Sequence, residues 1–217
     1  MNKFIFLLIL SFSSFSWAND FDPYHWEPGL HLFAGGGVNS SVYSNSKDTY
    51  DGGIGLNLKT DLVYFLNSDW AIEWSSSVKF NRVDTILIWD TLFTVGVRTT
   101  LPSLTYYEFG QPYGRIFVGR APTVVFLNGG VSPSQPENKD ISRIQFDGPV
   151  GGLAVGSLHT TEKGLVWFAE LGASMQSLEQ ESDIRMDGDV PVVISNRSVT
   201  DHTVIYSMYL TFGVMAF

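Results

Sequence analysis

The stretch from Gly53 to Asn81 constrains the fold more than any other part of the chain. From Ile54 the even positions read Ile54, Leu56, Leu58, Thr60, Leu62, Tyr64 and Leu66, while the odd positions include Gly55, Asn57, Lys59 and Asp61. After Asn67-Ser68-Asp69 the alternation resumes, with Trp70, Ile72, Trp74, Val78 and Phe80 set against Ala71, Glu73, Ser75 and Lys79. A period of two is the signature of a strand with one apolar and one polar face. Each half runs for about ten residues or more, the length a tilted strand needs to cross a bilayer. A soluble sheet would turn the charged face to water, as in a lipocalin-like barrel. A membrane barrel turns the apolar face to lipid and encloses the charges. Strand length favours the second arrangement.

The N-terminus agrees with export. Lys3 is followed by an apolar run from Phe4 to Leu10 and a small-residue stretch ending Ser16-Trp17-Ala18, the layout of a secretory signal cleaved near Ala18. The expected division is residues 1–18 signal peptide, 19–29 periplasmic lead-in and 30–217 barrel. No stretch approaches the ~20 apolar residues of a spanning helix. The chain has no cysteine, which argues against a small disulfide-stapled extracellular domain. Its acidic balance, 13 basic against 22 acidic residues, argues against a nucleic-acid partner.

Taken in order, the pattern predicts eight antiparallel strands. They begin near Leu30, Gly53, Trp70, Leu87, Tyr113, Phe146, Leu165 and in the C-terminal segment, whose even face runs Val204, Tyr206, Met208, Leu210, Phe212 and Val214. Arg115 and Arg120 fall on opposite parities of the fifth strand, and a bulge near Arg120-Ala121-Pro122 would reconcile them. Residues 128–145 read as a long external loop. Asp187-Gly188 is a turn signal, so the last two strands are expected to extend well beyond a bilayer as a projecting hairpin. Aromatic residues gather at two levels: Tyr64, Trp70 and Trp167 on the periplasmic side, and Phe80, Trp89 and Tyr206 on the outer side. The fold class is therefore all-β, an eight-stranded antiparallel up-and-down transmembrane barrel.

With this architecture laid out, nearly all of the mature chain resembles the small eight-stranded outer-membrane barrels of Gram-negative bacteria, the OmpA, OmpX and OmpW-like group. The terminal Phe217 matches the aromatic end those barrels present to their assembly machinery. The resemblance implies a bacterial outer-membrane location, with membrane lipid, lipopolysaccharide and the assembly machinery as partners. Counting back by twos from Phe217 gives the polar parity of the last strand. Either a bulge at Gly213 shifts the final residues or Phe217 points inward.

The inward charges expected are Lys59, Asp61, Glu73, Lys79, Asp90, Arg98, Arg115 and Glu170. Four of each sign favour mutual pairing in a lumen just wide enough for side chains, over an ion pathway. The pairing expected places Lys79 opposite Asp90 and Glu73 diagonal to Arg98. The four histidines, His25, His31, His159 and His202, show no metal-ligand spacing, and no metal or cofactor is expected. Lipid A deacylases carry a His-x-Ser-Asn run, whereas this chain has His159-Thr160-Thr161 and His202-Thr203-Val204. A chance cluster of Ser198, Asp201, His202 and Ser207 would be the remaining catalytic option, and the expectation is no enzyme.

Glu181, Asp183, Asp187 and Asp189 form an acidic external patch of solvated loop charges, or one that meets divalent cations bridging lipopolysaccharide. Beside it, Val190, Val192, Val193 and Ile194 make an apolar run that needs burial against something. The function expected is non-enzymatic action through external loops: adhesion, binding of an external protein partner, or envelope integrity. The alternatives are a narrow channel for small or apolar solutes and an outer-membrane lipid-modifying enzyme. A channel would need an apolar lining, for which the sequence offers only Phe33, Val63 and Phe65.

Overall fold

The computed structural model describes residues 28–44, 49–50, 53–83, 86–101, 110–126, 141–161, 164–187, 190–195 and 203–216. For 49–50, 83, 86, 141–142, 180–187, 190–195 and 216 it describes the course of the backbone. The expected signal peptide, the lead-in as far as residue 27, the terminal Phe217, His25, Asp189, Ser198, Asp201 and His202 lie outside the described residues, and Gly29, expected in the lead-in, opens the first strand.

The strands in chain order are β1 (Gly29–Ser44), β2 (Thr49–Tyr50), β3 (Ile54–Phe65), β4 (Trp70–Val83), β5 (Ile86–Thr100) and β6 (Gln111–Arg120). They continue with β7 (Thr123–Phe126), β8 (Ile141–Asp147), β9 (Pro149–Thr160), β10 (Val166–Asp187), β11 (Val190–Ser195) and β12 (Thr203–Ala216). Eight staves close a barrel: β1, β3, β4, β5, β6 with β7, β9 with β8, β10 and β12, each antiparallel to its neighbours. Closure comes from β12, which pairs with β10 on one side and β1 on the other. No strand edge is left in the barrel wall, which is what spanning a membrane with strands demands.

The size of the barrel follows from its register. Starting at Phe80, the pairing passes through Leu56, Val38, Leu210, Leu171, Val155, Gly114 and Thr99 and returns to β4 at Trp70, ten residues from its start. Eight strands with that stagger lie about 40° from the barrel axis. The start of β1, the end of β12, the short connection 66–69 and the residues Thr161, Gly164 and Leu165 between β9 and β10 sit at one end, called here the turn end. The Asn67 carboxamide oxygen accepts from the Asp69 and Trp70 amides at 2.8 and 2.9 Å and closes the first of these turns. In the second, Gly164 takes a left-handed φ of 78°, which a side chain would resist. The opposite end is the loop end.

Alternation decides which side chains enter the lumen. On β3 the pattern of exposed and buried residues is unbroken from Ile54 to Phe65. The outer surface carries Ile54, Leu56, Leu58, Leu62, Trp74, Phe93, Val95, Ile116, Leu153, Leu171, Met208 and Phe212, all more than a third exposed. Tyr64, Trp70 and Trp167 face outward at the turn end. At the loop end Trp89 and Tyr206 do the same, and Phe80 packs on Trp89 with ring centroids 5.1 Å apart.

Three expectations are corrected. No bulge forms at Arg120-Ala121-Pro122: β5 pairs with Arg120 at Phe93 and with Thr123 at Asp90, so the register runs straight through the interruption. Hydrogen bonds from Thr91 N to Pro122 O and from Ala121 N to Gly148 O carry the ladder across. Arg120 points outward, where the Asp147 carboxylate pairs with it, so opposite parities of Arg115 and Arg120 need no adjustment. Nor does a bulge form at Gly213, which pairs with Gly35 and Phe168 in unbroken register and leaves Met215 buried in the lumen. Finally, part of the stretch 128–145 is strand: β8 starts at Ile141 and pairs with both β7 and β10.

Candidate functional site: the lumen and the loop-end sheet

The lumen is filled in three layers. Nearest the turn end, Phe33, Val63, Phe65, Ala71, Tyr113, Leu158, Val166, Phe168 and Met215 form an apolar plug. These side chains belong to the same parity as the lumen charges, because strand alternation fixes direction and not polarity.

The middle layer holds six charges. Lys59 Nζ lies 2.6 Å from Glu170 Oε1 and 3.0 Å from Asp61 Oδ2. Arg98 reaches Asp61 at 2.7 Å and Glu73 at 2.5 Å. Arg115 pairs with Glu73 and, at 3.1 Å, with Glu170. Three cations thus meet three carboxylates, and all six are buried. Neighbouring strands explain the convergence: Ala71 stands opposite Arg98, and Arg98 opposite Arg115, so Glu73 lies diagonal to the first and within reach of the second. Rings hold the guanidinium groups from the sides. Arg98 sits over Phe33 and Tyr113, at 4.7 and 4.9 Å, and Arg115 over Phe117 at 4.3 Å, contacts that add attraction in a desolvated site.

The sequence gives no hint of the hydroxyls that complete this layer. Tyr113 donates to Glu170 at 3.0 Å, Ser75 to Asp61 at 2.5 Å, and Arg115 donates to the Tyr209 hydroxyl at 3.2 Å. Their inward parity was legible, but nothing in it distinguished a network member from a packed ring. Two glycines seat the tyrosines: a Cβ at Gly156 would fall on the Tyr113 ring, and one at Gly172 on the Tyr209 ring.

Toward the loop end, Tyr43, Ile88, Leu92, Ala121, Val150, Leu178 and Ile205 pack around the remaining two charges, Lys79 and Asp90. These stand directly opposite each other on β4 and β5. Lys79 nevertheless donates to Ser174 Oγ at 2.9 Å. Ser207, a member of the catalytic option raised from the sequence, is buried in the lumen and bonded to Ser41 at 2.8 Å. Among the described residues no group of three metal-ligating His, Cys, Asp or Glu side chains occurs. His31 packs edge-on to Phe65, and His159 stacks on Trp167 with centroids 4.0 Å apart.

What space the charge layer leaves is small. A void of about 20 Å³, lined by Lys59, Lys79, Arg115 and Tyr209 among others, has room for about one water molecule. Planar-bilayer recordings are accordingly expected to show only small or rare conductances, and a large steady conductance would contradict this packing.

The loop end carries the other candidate surface. β10 has 22 residues and is last paired with β12 at Leu178, opposite Thr203. From there its backbone continues to Asp187 between two other strands. β8 flanks it on one side, with Glu179 opposite Asp147 and Arg185 opposite Ile141. On the other side β11 flanks it, with Asp187 opposite Val190 and Asp183 opposite Ser195. Val190, Val192, Val193 and Ile194 therefore lie on β11, and Glu181, Asp183 and Asp187 on β10. Beyond its pairing with β10, β11 has no further partner strand among the described residues.

No protein-family model matches the chain, and no curated protein matches it. Among solved structures it is similar to Neisserial surface protein A, with 12% identity over 87% of this chain and 98% of that one and a TM-score of 0.47. It is also similar to Ail, the attachment invasion locus protein of Yersinia pestis, with 14% identity over 87% and 99% and a TM-score of 0.46.

Proposed function

We propose that the chain is an outer-membrane barrel of a Gram-negative bacterium, acting without catalysis through the sheet that continues past its loop end. Support for the membrane comes from the barrel's outer wall. A closed belt of exposed Leu, Ile, Val, Phe and Trp side chains far exceeds the few hundred Å² of contiguous apolar surface a soluble monomer tolerates. Aromatic residues rim that belt at both ends, as at the two interfaces of a bilayer. A signal sequence ending near Ala18 would supply the route there.

One observation carries the working surface: β10 runs nine residues past its last pairing with β12, with β8 and β11 on either side. A strand of 22 residues is about twice the length a bilayer requires, so the excess lies outside. The edge of β11, which no strand among the described residues covers, offers its backbone to an external protein, and Pro191 within it limits indiscriminate pairing. Adhesion or capture of an external protein partner is the activity this surface serves. A solute channel is disfavoured by the packed middle layer, since three ion pairs and their hydroxyls occupy the path.

The test is deletion of residues 180–198. Cells displaying the shortened barrel should still yield a band whose gel mobility shifts on heating, because β10 keeps its pairing with β9 and β12 from Val166 to Leu178 and the deletion removes only its loop-end pairing with β8 and β11. Their attachment to surfaces and capture of cross-linkable external protein should fall to the level of cells without the barrel. Attachment equal to that of the full chain would overturn the assignment.

A further inference from the structure

The outer wall of the barrel is not evenly apolar. Across β9, β10, β12 and β1 one row of outward side chains reads Gly151, Met175, Tyr206 and Val42, each paired with the next. Ala173 and Met208 pair in the row below it, nearer the turn end. Between these rows runs a groove of about 410 Å³, open to the outside of the wall. It lies in the loop-end half of the belt, with Tyr206 at its upper rim.

Packing inside the barrel accounts for Gly152, where a Cβ would strike the Phe117 ring. It does not account for Gly151. A Cβ there would meet only ordinary contacts, the Phe117 carbonyl at 3.8 Å and a Val118 methyl at 3.9 Å. The protein leaves that space unused, and a group from outside can take it. Met175 and Met208, both exposed, flank the groove with flexible thioethers that adapt to an occupant's shape.

A charge stands over one end of the groove. Arg120 is opposite Pro149 and so diagonal to Gly151. The stagger of the strands sets its backbone about level with Gly151, below the level of Trp89. Its guanidinium reaches up to the Asp147 carboxylate, at about the Trp89 level. Within this pair the arginine side chain is 69% exposed and the aspartate 11%, so the face turned outward is the cation. Glu179 stands opposite Asp147 on β10, behind that face.

Hydrocarbon fills any groove in a wall that faces a bilayer, since an empty one forfeits contacts. What sets this groove apart is the charge above it, which a lipid headgroup can match. We propose that the groove and Arg120 hold one molecule of a phosphorylated outer-leaflet glycolipid, lipopolysaccharide. One acyl chain lies over Gly151 and Ala173 between the two methionines, and Arg120 donates to a headgroup phosphate. Lipopolysaccharide phosphates carry divalent counter-ions, so Asp147 and Glu179 meet a bound cation and not a bare anion. The site rests on the outer-membrane location proposed above and is independent of the projecting sheet.

The test uses the full barrel refolded in uncharged detergent and incubated, with magnesium, with rough lipopolysaccharide or with phosphatidylglycerol. After gel filtration the barrel should retain lipopolysaccharide at near one molecule each, and several-fold less phosphatidylglycerol. Gly151→Leu, which fills the groove, and Arg120→Gln should each lower the retained lipopolysaccharide several-fold. Ser76→Leu, on the opposite wall, should leave it unchanged. A second measurement does not depend on the folding of those variants. Because the chain has no cysteine, Met208→Cys can carry a benzophenone, which should cross-link to lipopolysaccharide on illumination, whereas the same label on Trp74→Cys should not. Equal retention of the two lipids, full retention by Gly151→Leu or Arg120→Gln, or equal cross-linking from the two labelled positions would overturn the proposal. A barrel that inserts into phospholipid vesicles but fails these tests would leave the membrane location standing.

Discussion

Arg98→Ala is expected to destabilise the barrel by about 3–5 kcal/mol, the cost of removing one partner from a buried ion pair. Arg98 is fully buried, and its loss leaves Asp61 and Glu73 with one cation fewer in a layer that otherwise balances. It also empties the space between the Phe33 and Tyr113 rings. Lys59 and Arg115 can compensate only in part, because both are shared with Glu170. Urea unfolding of the refolded protein measures the effect. A double-mutant cycle with Glu73→Gln should be strongly non-additive, since the second change removes one of the charges that the first exposes. A loss under about 1 kcal/mol for Arg98→Ala would mean that the six charges are solvated and the lumen is not packed.

The second large effect belongs to the outer wall. Val95 pairs with Trp74 and Val118 and lies in the middle of the wall, between Trp89 and the level of Trp70, which is set opposite Thr99. Val95→Arg should cost about 2–4 kcal/mol in lipid vesicles, the depth-dependent price of a guanidinium at the bilayer midplane. Leu30→Arg, at the turn-end rim, should cost about 0–1 kcal/mol by the same dependence. The difference between the two sites is the informative quantity. Equal costs would mean that the apolar wall does not face hydrocarbon.

How much of this was legible in the sequence depends on the direction of the side chain in question. Alternation is a local property, so the inward set Lys59, Asp61, Glu73, Lys79, Asp90, Arg98, Arg115 and Glu170 could be read from parity alone. The third hairpin could be placed as well: Lys79 stands opposite Asp90. Parity does not say how far a long side chain leans along the axis. Lys79 therefore stands opposite Asp90 and bonds to Ser174, while Lys59 crosses to Glu170 on a strand that pairs with neither β3 nor β4. The apolar plug is not legible in the sequence for a related reason. Phe33, Val63 and Phe65 were too few to suggest an apolar interior, but Phe168, Leu158, Tyr113 and Met215 arrive from strands distant in sequence to join them.

At Arg120 parity misleads in the opposite direction. An outward arginine reads as a break in register, yet the exposed Arg120 meets Asp147 across the strand pair and needs no adjustment. The projection of β10 was readable because Asp187-Gly188 is a turn signal in the sequence, and the residues on both sides of it can continue the two strands. The contribution of β8 was not, because 128–145 is rich in Gly, Ser and Pro and its strand portion is specified by pairing with β10.

The orientation of the barrel in the outer membrane is the claim on which the rest stands, and the chain's lack of cysteine makes it directly measurable. Gly188→Cys places a thiol in the connection between β10 and β11, and Ser68→Cys places one in the turn between β3 and β4. A membrane-impermeant maleimide applied to intact cells should label Gly188→Cys, and should label Ser68→Cys only after the outer membrane is permeabilised. Labelling of Ser68→Cys on intact cells, or recovery of both variants in a soluble periplasmic extract, would contradict the account.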